Sequence, residues 1–149
     1  MNAFSRLPET RVTRSPFQTE AAGRELGRRL RAGDCVCIMG PLGAGKTCFV
    51  RGAMKALGVK DSVLSPTFTY AHEARGRLPC VHLDFFRLTV PAEQRGLSDY
   101  LDGRSVVFVE WADRDRSFWP RRVITVRIRR LRGTSRRITI RFPPVTPRR

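Results

Sequence analysis

Residues 35–47, "CVCIMGPLGAGKT", set a short apolar run directly against a glycine-rich loop that ends in Lys-Thr. Gly40, Gly45, Lys46 and Thr47 satisfy G-x-x-x-x-G-K-[ST], a pattern that cradles phosphate only between a strand and a helix. Both flanks are present. "CVCIM" is apolar throughout, as a buried strand is. In "TCFVRGAMKALG", Phe49, Ala53, Met54 and Leu57 share one helical face, and Gly58 supplies the stop. Small residues let consecutive backbone N–H groups turn toward a phosphate, and the positive end of the following helix adds to the attraction. Lys46 would then bridge the outer phosphates, and the Thr47 hydroxyl would ligate a magnesium ion already held by them.

A cradle of this kind calls for a carboxylate at the end of a neighbouring strand. Two candidates compete: Asp84 closes the strand "CVHLD" at 80–84, and Glu110 closes "SVVFVE" at 105–110. One would serve the metal and the other would orient or activate the attacking water. "SPTFT" at 65–69 places Thr67 and Thr69 beside a proline-stiffened turn, where a hydroxyl can sense a terminal phosphate. Trp111, next to Glu110, is a candidate to pack on the nucleotide, and His82 on its apolar strand reads as structural. No N/T-K-x-D arrangement is present to read guanine, so the nucleotide expected is ATP.

Elsewhere, residues 1–17 lack periodicity and read as an irregular or extended lead-in. "TEAAGRELGRRLRAG" spaces Ala22, Leu26 and Leu30 as a helix, with Thr19 as cap and Gly33 as stop. "FTYAHE" alternates, and "VPAEQRGLSDYL" suggests a short helix and a turn. Toward the end, Ile124, Val126 and Ile128, then Ile138, Ile140 and Phe142, alternate with polar residues on either side of "LRGTS". That pattern predicts an antiparallel hairpin with an arginine-lined face in water; residues 143–149 read as a frayed tail.

At 149 residues, 41% hydrophobic and 28% charged, without repeat or linker, the chain reads as one globular domain over 1–149. No apolar run nears the roughly 20 residues of a membrane span, and no signal-like segment opens the chain, so a cytoplasmic location is expected. Cys35, Cys37, Cys48 and Cys80 lack metal-site spacing and are expected to be free thiols. The net charge is +16, and residues 121–149 hold eleven arginines and no acidic residue. Such a face attracts nucleic acid, while the rarity of lysine also fits a compositional skew.

In this order and at about these separations, "GPLGAGKT", "SPTFT", "HLDFFR" and "VEW" resemble the TsaE (earlier YjeE) family, small bacterial ATPases of tRNA threonylcarbamoyladenosine biosynthesis, over roughly residues 19–142. The resemblance implies an α/β, P-loop NTPase-like three-layer domain with a mixed parallel/antiparallel sheet and a C-terminal β-hairpin. It implies ATP and Mg2+ as cofactors, with slow hydrolysis that resets a complex of TsaD-type transferase and TsaB-type companion. That complex modifies adenosine 37 of tRNAs reading codons that begin with A, so contact with tRNA would be indirect; the charge of the basic C-terminal face, and not the resemblance, leaves direct contact open. Gly43, Ala44, Gly45, Lys46, Thr47 and Cys48 would wrap the phosphates, Cys48 through its backbone N–H. Thr47 and Glu110 would hold magnesium, Asp84 would position water, and Thr67 would be the switch-like residue. Glu20, or its neighbour Thr19, would lie near the nucleotide, and Trp111 matches the tryptophan after the metal-binding Glu. The reading from the residues alone keeps a second function open, a stand-alone P-loop phosphotransferase acting on a small metabolite.

Overall fold

The computed structural model describes residues 7–60 and 70–144. The most apolar segments form the centre of a single sheet. β2 (Cys35–Met39) and β5 (Val106–Glu110) are buried at every position and lie side by side in parallel. β6 (Ile124–Arg130) extends the parallel set beyond β2, and β4 (Pro79–Asp84) extends it beyond β5. Central parallel strands have no solvated face, which is why β2 and β5 read as unbroken apolar runs. Antiparallel strands complete the sheet: β3 (Ala71–Arg75) beside β4, then β7 (Arg136–Arg141) beside β6, with β1 (Glu9–Thr13) outside β7. The order is β1-β7-β6-β2-β5-β4-β3.

Two helices, α1 (Pro16–Gly27) and α2 (Lys46–Ala56), cover one face. They run in the same direction and touch backbone to backbone. A Cβ on Gly23 would lie 2.0 Å from Phe49 O, one on Gly27 2.4 Å from Ala53 O, and one on Gly52 1.9 Å from Glu20 O. Glycine is required at these positions by proximity. Beneath the helices Leu26, Phe49, Met54 and Leu57 pack on Val36, Ile38, Phe108 and Ile128. This burial is the main term holding α2 and its preceding loop in place.

The third layer is thin. No α-helix covers the opposite face among the described residues; instead 3-10 turns at Ala92–Arg95, Leu97–Tyr100, Ala112–Arg114 and Arg116–Phe118 do so. They carry Ala92, Leu97, Ala112 and Phe118 onto Cys37, Val81, Leu83 and Val109, with Phe118 edge-on to Phe85 at 5.1 Å. Their cover reaches β4, β5 and β2. Over β6 and β7 the same face carries arginines, as the alternation in both strands predicts.

The hairpin of β6 and β7 forms around a turn in which Leu131 N–H donates to Ser135 O. The amino-terminal reading needs correction in part. Of the irregular or extended lead-in, residues 9–13 are the extended part and pair into the sheet as β1, an edge strand in which only Thr13 is buried, so no alternation marks it. Pro16 opens α1 in the first turn, where its missing N–H is harmless. Ser15, not Thr19, is the cap, its Oγ accepting from Gln18 N–H at 3.2 Å, and the helix stops at Gly27 before the predicted Gly33. Gly58, just past α2, adopts the left-handed conformation expected of a stop. All four cysteines are free thiols; burial pushes that of Cys80 up to about 11.

Candidate active site at the carboxyl ends of the parallel strands

In an open α/β sheet, ligands bind at the carboxyl ends of the parallel strands. Here the loop 40–45 leaves β2 at that edge, Asp84 ends β4 and Glu110 ends β5, and Asp84 and Glu110 are direct partners in the β4–β5 register. The loop turns through Gly43 (φ 74°) and Gly45 (φ 99°), the latter serving as the cap of α2. A side chain at either would be strained, so the backbone lies bare toward the ligand side.

Lys46 is 5% exposed, and its Nζ donates to Gly40 O and Pro41 O, both at 2.8 Å. The Trp111 ring covers the same ammonium at 4.1 Å from its centroid. Trp111 takes a left-handed backbone conformation (φ 55°), alone among the described non-glycine residues, which turns its ring back over the loop. Burial lowers the pKa of Lys46, against the pull of Glu110, Asp84 and Asp113.

The Thr47 hydroxyl donates to the Glu110 carboxylate, 2.9 Å from Oε1 and 3.1 Å from Oε2. Glu110 is 2% exposed and Oε2 also contacts His82 Nε2. Hydroxyl and carboxylate oxygens are the hard donors magnesium prefers. Asp84 is partly buried, and Oδ1 accepts from Phe86 N–H at 2.9 Å. Burial raises its pKa above the ordinary carboxylate value, with Glu110 adding to the rise.

The structure thus brings Gly43, Ala44, Gly45, Lys46, Thr47, Asp84, Glu110 and Trp111 to one edge. Cys48 follows on α2, but its thiol points away to Pro16 O. Thr67 and Thr69 lie outside the described residues. Glu20 is not brought to the loop: its carboxylate pairs with Lys55 Nζ at 2.6 Å, near the far end of α2, because the α1–α2 contact turns it along that helix. Its neighbour Thr19 is at the loop, 3.4 Å from where a Cβ on Gly45 would stand, and its hydroxyl meets that of Thr13 at 2.8 Å.

Two residues make contacts at the site that the sequence does not show. His82 sits on the same strand face as Asp84 and holds the metal-candidate Glu110; its Nδ1 is buried without a partner among the described residues. Arg136 opens β7 and clamps the loop, Nε donating to Ala44 O at 3.1 Å and Nη2 to Gly43 O at 3.2 Å. Its signal was present, since 136 shares the inward register of Ile138 and Ile140, where an arginine is out of place.

The sheet order and this loop define a P-loop-like α/β domain. The family described as threonylcarbamoyl adenosine biosynthesis protein TsaE matches residues 13–138. A Treponema pallidum protein named tRNA threonylcarbamoyladenosine biosynthesis protein TsaE is 36% identical, over 87% of this chain and 97% of its own. The Bacillus subtilis protein of that name is also 36% identical, over 85% and 81%. Among solved structures, Bacillus subtilis YdiB superimposes with a TM-score of 0.80 at 31% identity, covering 91% of this chain and 86% of its own. The chain belongs to the TsaE family.

Proposed function

We propose that the protein is a magnesium-dependent ATPase of one domain, residues 1–149, acting in the cytoplasm as accessory subunit for threonylcarbamoyl modification of adenosine 37 in tRNAs that read codons beginning with A. Its hydrolysis resets a complex of TsaD-type transferase and TsaB-type companion between turnovers. The observation that carries the nucleotide chemistry is the Thr47 hydroxyl bonded to both oxygens of buried Glu110 at the mouth of the loop. The modification itself is supported by the family and by the names of its members.

The residues present fit Mg2+-ATP. Magnesium keeps most of its water and phosphate ligands and asks one or two oxygens of the protein. Thr47 and Glu110 supply that number, and no group of three or more His, Cys, Asp or Glu suited to a metal occurs among the described residues. When bound, the ion neutralises charge on the β- and γ-phosphate oxygens. The backbone N–H groups of residues 43–48 would surround the phosphates. Lys46 would exchange its carbonyl partners for phosphate oxygens while Trp111 limits water around the ammonium. His82 fixes the Glu110 carboxylate. Asp84, with its raised pKa, is suited to take up a proton from the attacking water.

The test is phosphate release from Mg2+-ATP by the full chain, alone and with the two partner subunits. Slow release alone, accelerated by the partners and abolished by Lys46→Ala, is expected. Label transferred from ATP to a small metabolite would replace this reading with a phosphotransferase.

A further inference from the structure

Outside the nucleotide site, one feature is built from charge and shape together. Where the 3-10 turns stop short, the exposed face of β6 and β7 forms the floor of a groove of about 360 Å3. Arg127, Arg129, Arg137 and Arg141 line the floor, and Arg116 and Trp119 form one wall. These arginines are exposed, and none forms an ion pair among the described residues. Arg127 makes a long contact, 3.9 Å, from Nη2 to Met39 Sδ. Arg129 and Arg137 are direct cross-strand partners, an arrangement of like charges that weakens a sheet. Arg116 lies over the Trp119 ring at 4.7 Å, while Trp119 Nε1 donates to Ala112 O at 2.8 Å and fixes the indole at the wall.

We propose that this groove binds RNA through its phosphate backbone. By strand geometry Arg127 and Arg129 stand about 6.7 Å apart along β6, Arg137 and Arg141 about 13 Å apart along β7, and Arg129 faces Arg137 across about 4.8 Å, so planar forks are set at fixed spacings suited to phosphates. Thr125 and Thr139 add hydroxyl donors between them. The Arg116–Trp119 wall offers flat surfaces on which an unpaired base stacks, which an acidic protein segment would not require. The site lies on the face opposite α1 and α2, so RNA and nucleotide can be held at once. This proposal does not depend on the ATPase reading.

The test is fluorescence anisotropy of the full chain with a labelled tRNA between 50 and 200 mM salt. Each phosphate contact contributes about −0.7 to −0.9 to the slope of log K against log salt. Arg129→Gln/Arg137→Gln should therefore flatten the slope by roughly 1.4–1.8 and weaken binding by roughly 25- to 60-fold at 0.1 M salt. Arg75→Gln/Arg77→Gln, the same loss of charge near β3 at the other sheet edge, should change affinity less than about twofold. Thermal melts of the groove variant should match or exceed the parent, since a like-charge cross-strand pair is removed, and basal ATP hydrolysis should be unchanged. Equal losses from both pairs would overturn the proposal in favour of net charge, and no loss from the groove pair would overturn it outright. Competition by polyglutamate as strong as by RNA of equal charge would assign the groove to an acidic protein instead.

Discussion

Gly52→Ala sets two effects of opposite sign against each other. In the middle of a helix, alanine is favoured over glycine by about 0.8–1.0 kcal/mol. At residue 52, however, the new Cβ would stand 1.9 Å from Glu20 O, about 1.5 Å short of ordinary contact at 3.4 Å. The obstacle is a main-chain carbonyl of α1, so no rotamer change relieves it and the two helices must separate. Overpacking of a fitted interior costs about 1–3 kcal/mol, and a backbone obstacle puts this case at the upper end. The net expectation is a loss of about 1–2 kcal/mol, or roughly 2–8 °C in Tm for a chain of this size. Separation also withdraws Thr19 from Gly45, so nucleotide affinity should fall with stability. Differential scanning calorimetry and ATP titration of the same preparation measure both. A Tm that rises by a few degrees would show that propensity outweighs packing and would refute the close α1–α2 contact.

Glu110→Gln keeps an acceptor for its neighbours but removes the charge a metal needs; folding should persist while the magnesium concentration for half-maximal hydrolysis rises by at least about tenfold. An unchanged magnesium dependence would move the metal to Asp84. For Asp84 the folded pKa is raised, so the folded state holds the proton more tightly and stability falls as pH rises from the ordinary value, 3.8, through the raised one. Asp84→Asn should therefore raise Tm at pH 7, the gain vanishing toward pH 4, while turnover drops by about 10²–10⁴. Lower Tm at pH 7 would contradict the burial argument.

Legibility in the sequence followed the physical signal each part carries. The P-loop with its flanks, the two carboxylates at strand ends and the alternating hairpin were readable, because buried parallel strands, a helical face and a two-residue period each leave a pattern. β1 was not, since an edge strand with one buried side chain has no period to show. Gly23, Gly27 and Gly52 look like weak helix residues until the second helix is in place. Of Glu20 and its neighbour Thr19, the pair expected near the nucleotide, the turn of α1 sends Thr19 toward Gly45 and Glu20 toward Lys55, a choice that depends on the packing of α1 on α2. His82 read as core, and it is buried, but its contact with Glu110 depends on β4 lying beside β5, which no local pattern records.

The central claim, that ATP turnover at this loop serves tRNA modification, is tested most directly by measuring threonylcarbamoyladenosine in tRNA from cells whose only copy of the protein is wild type or Lys46→Ala. Lys46 is expected to supply one charge-assisted contact to phosphate, about 1.5–3 kcal/mol or on the order of 10- to 100-fold in nucleotide affinity. Wild type should restore the modified nucleoside, and Lys46→Ala, expressed to the same level, should leave it at the depleted value. Full modification with Lys46→Ala would contradict the account.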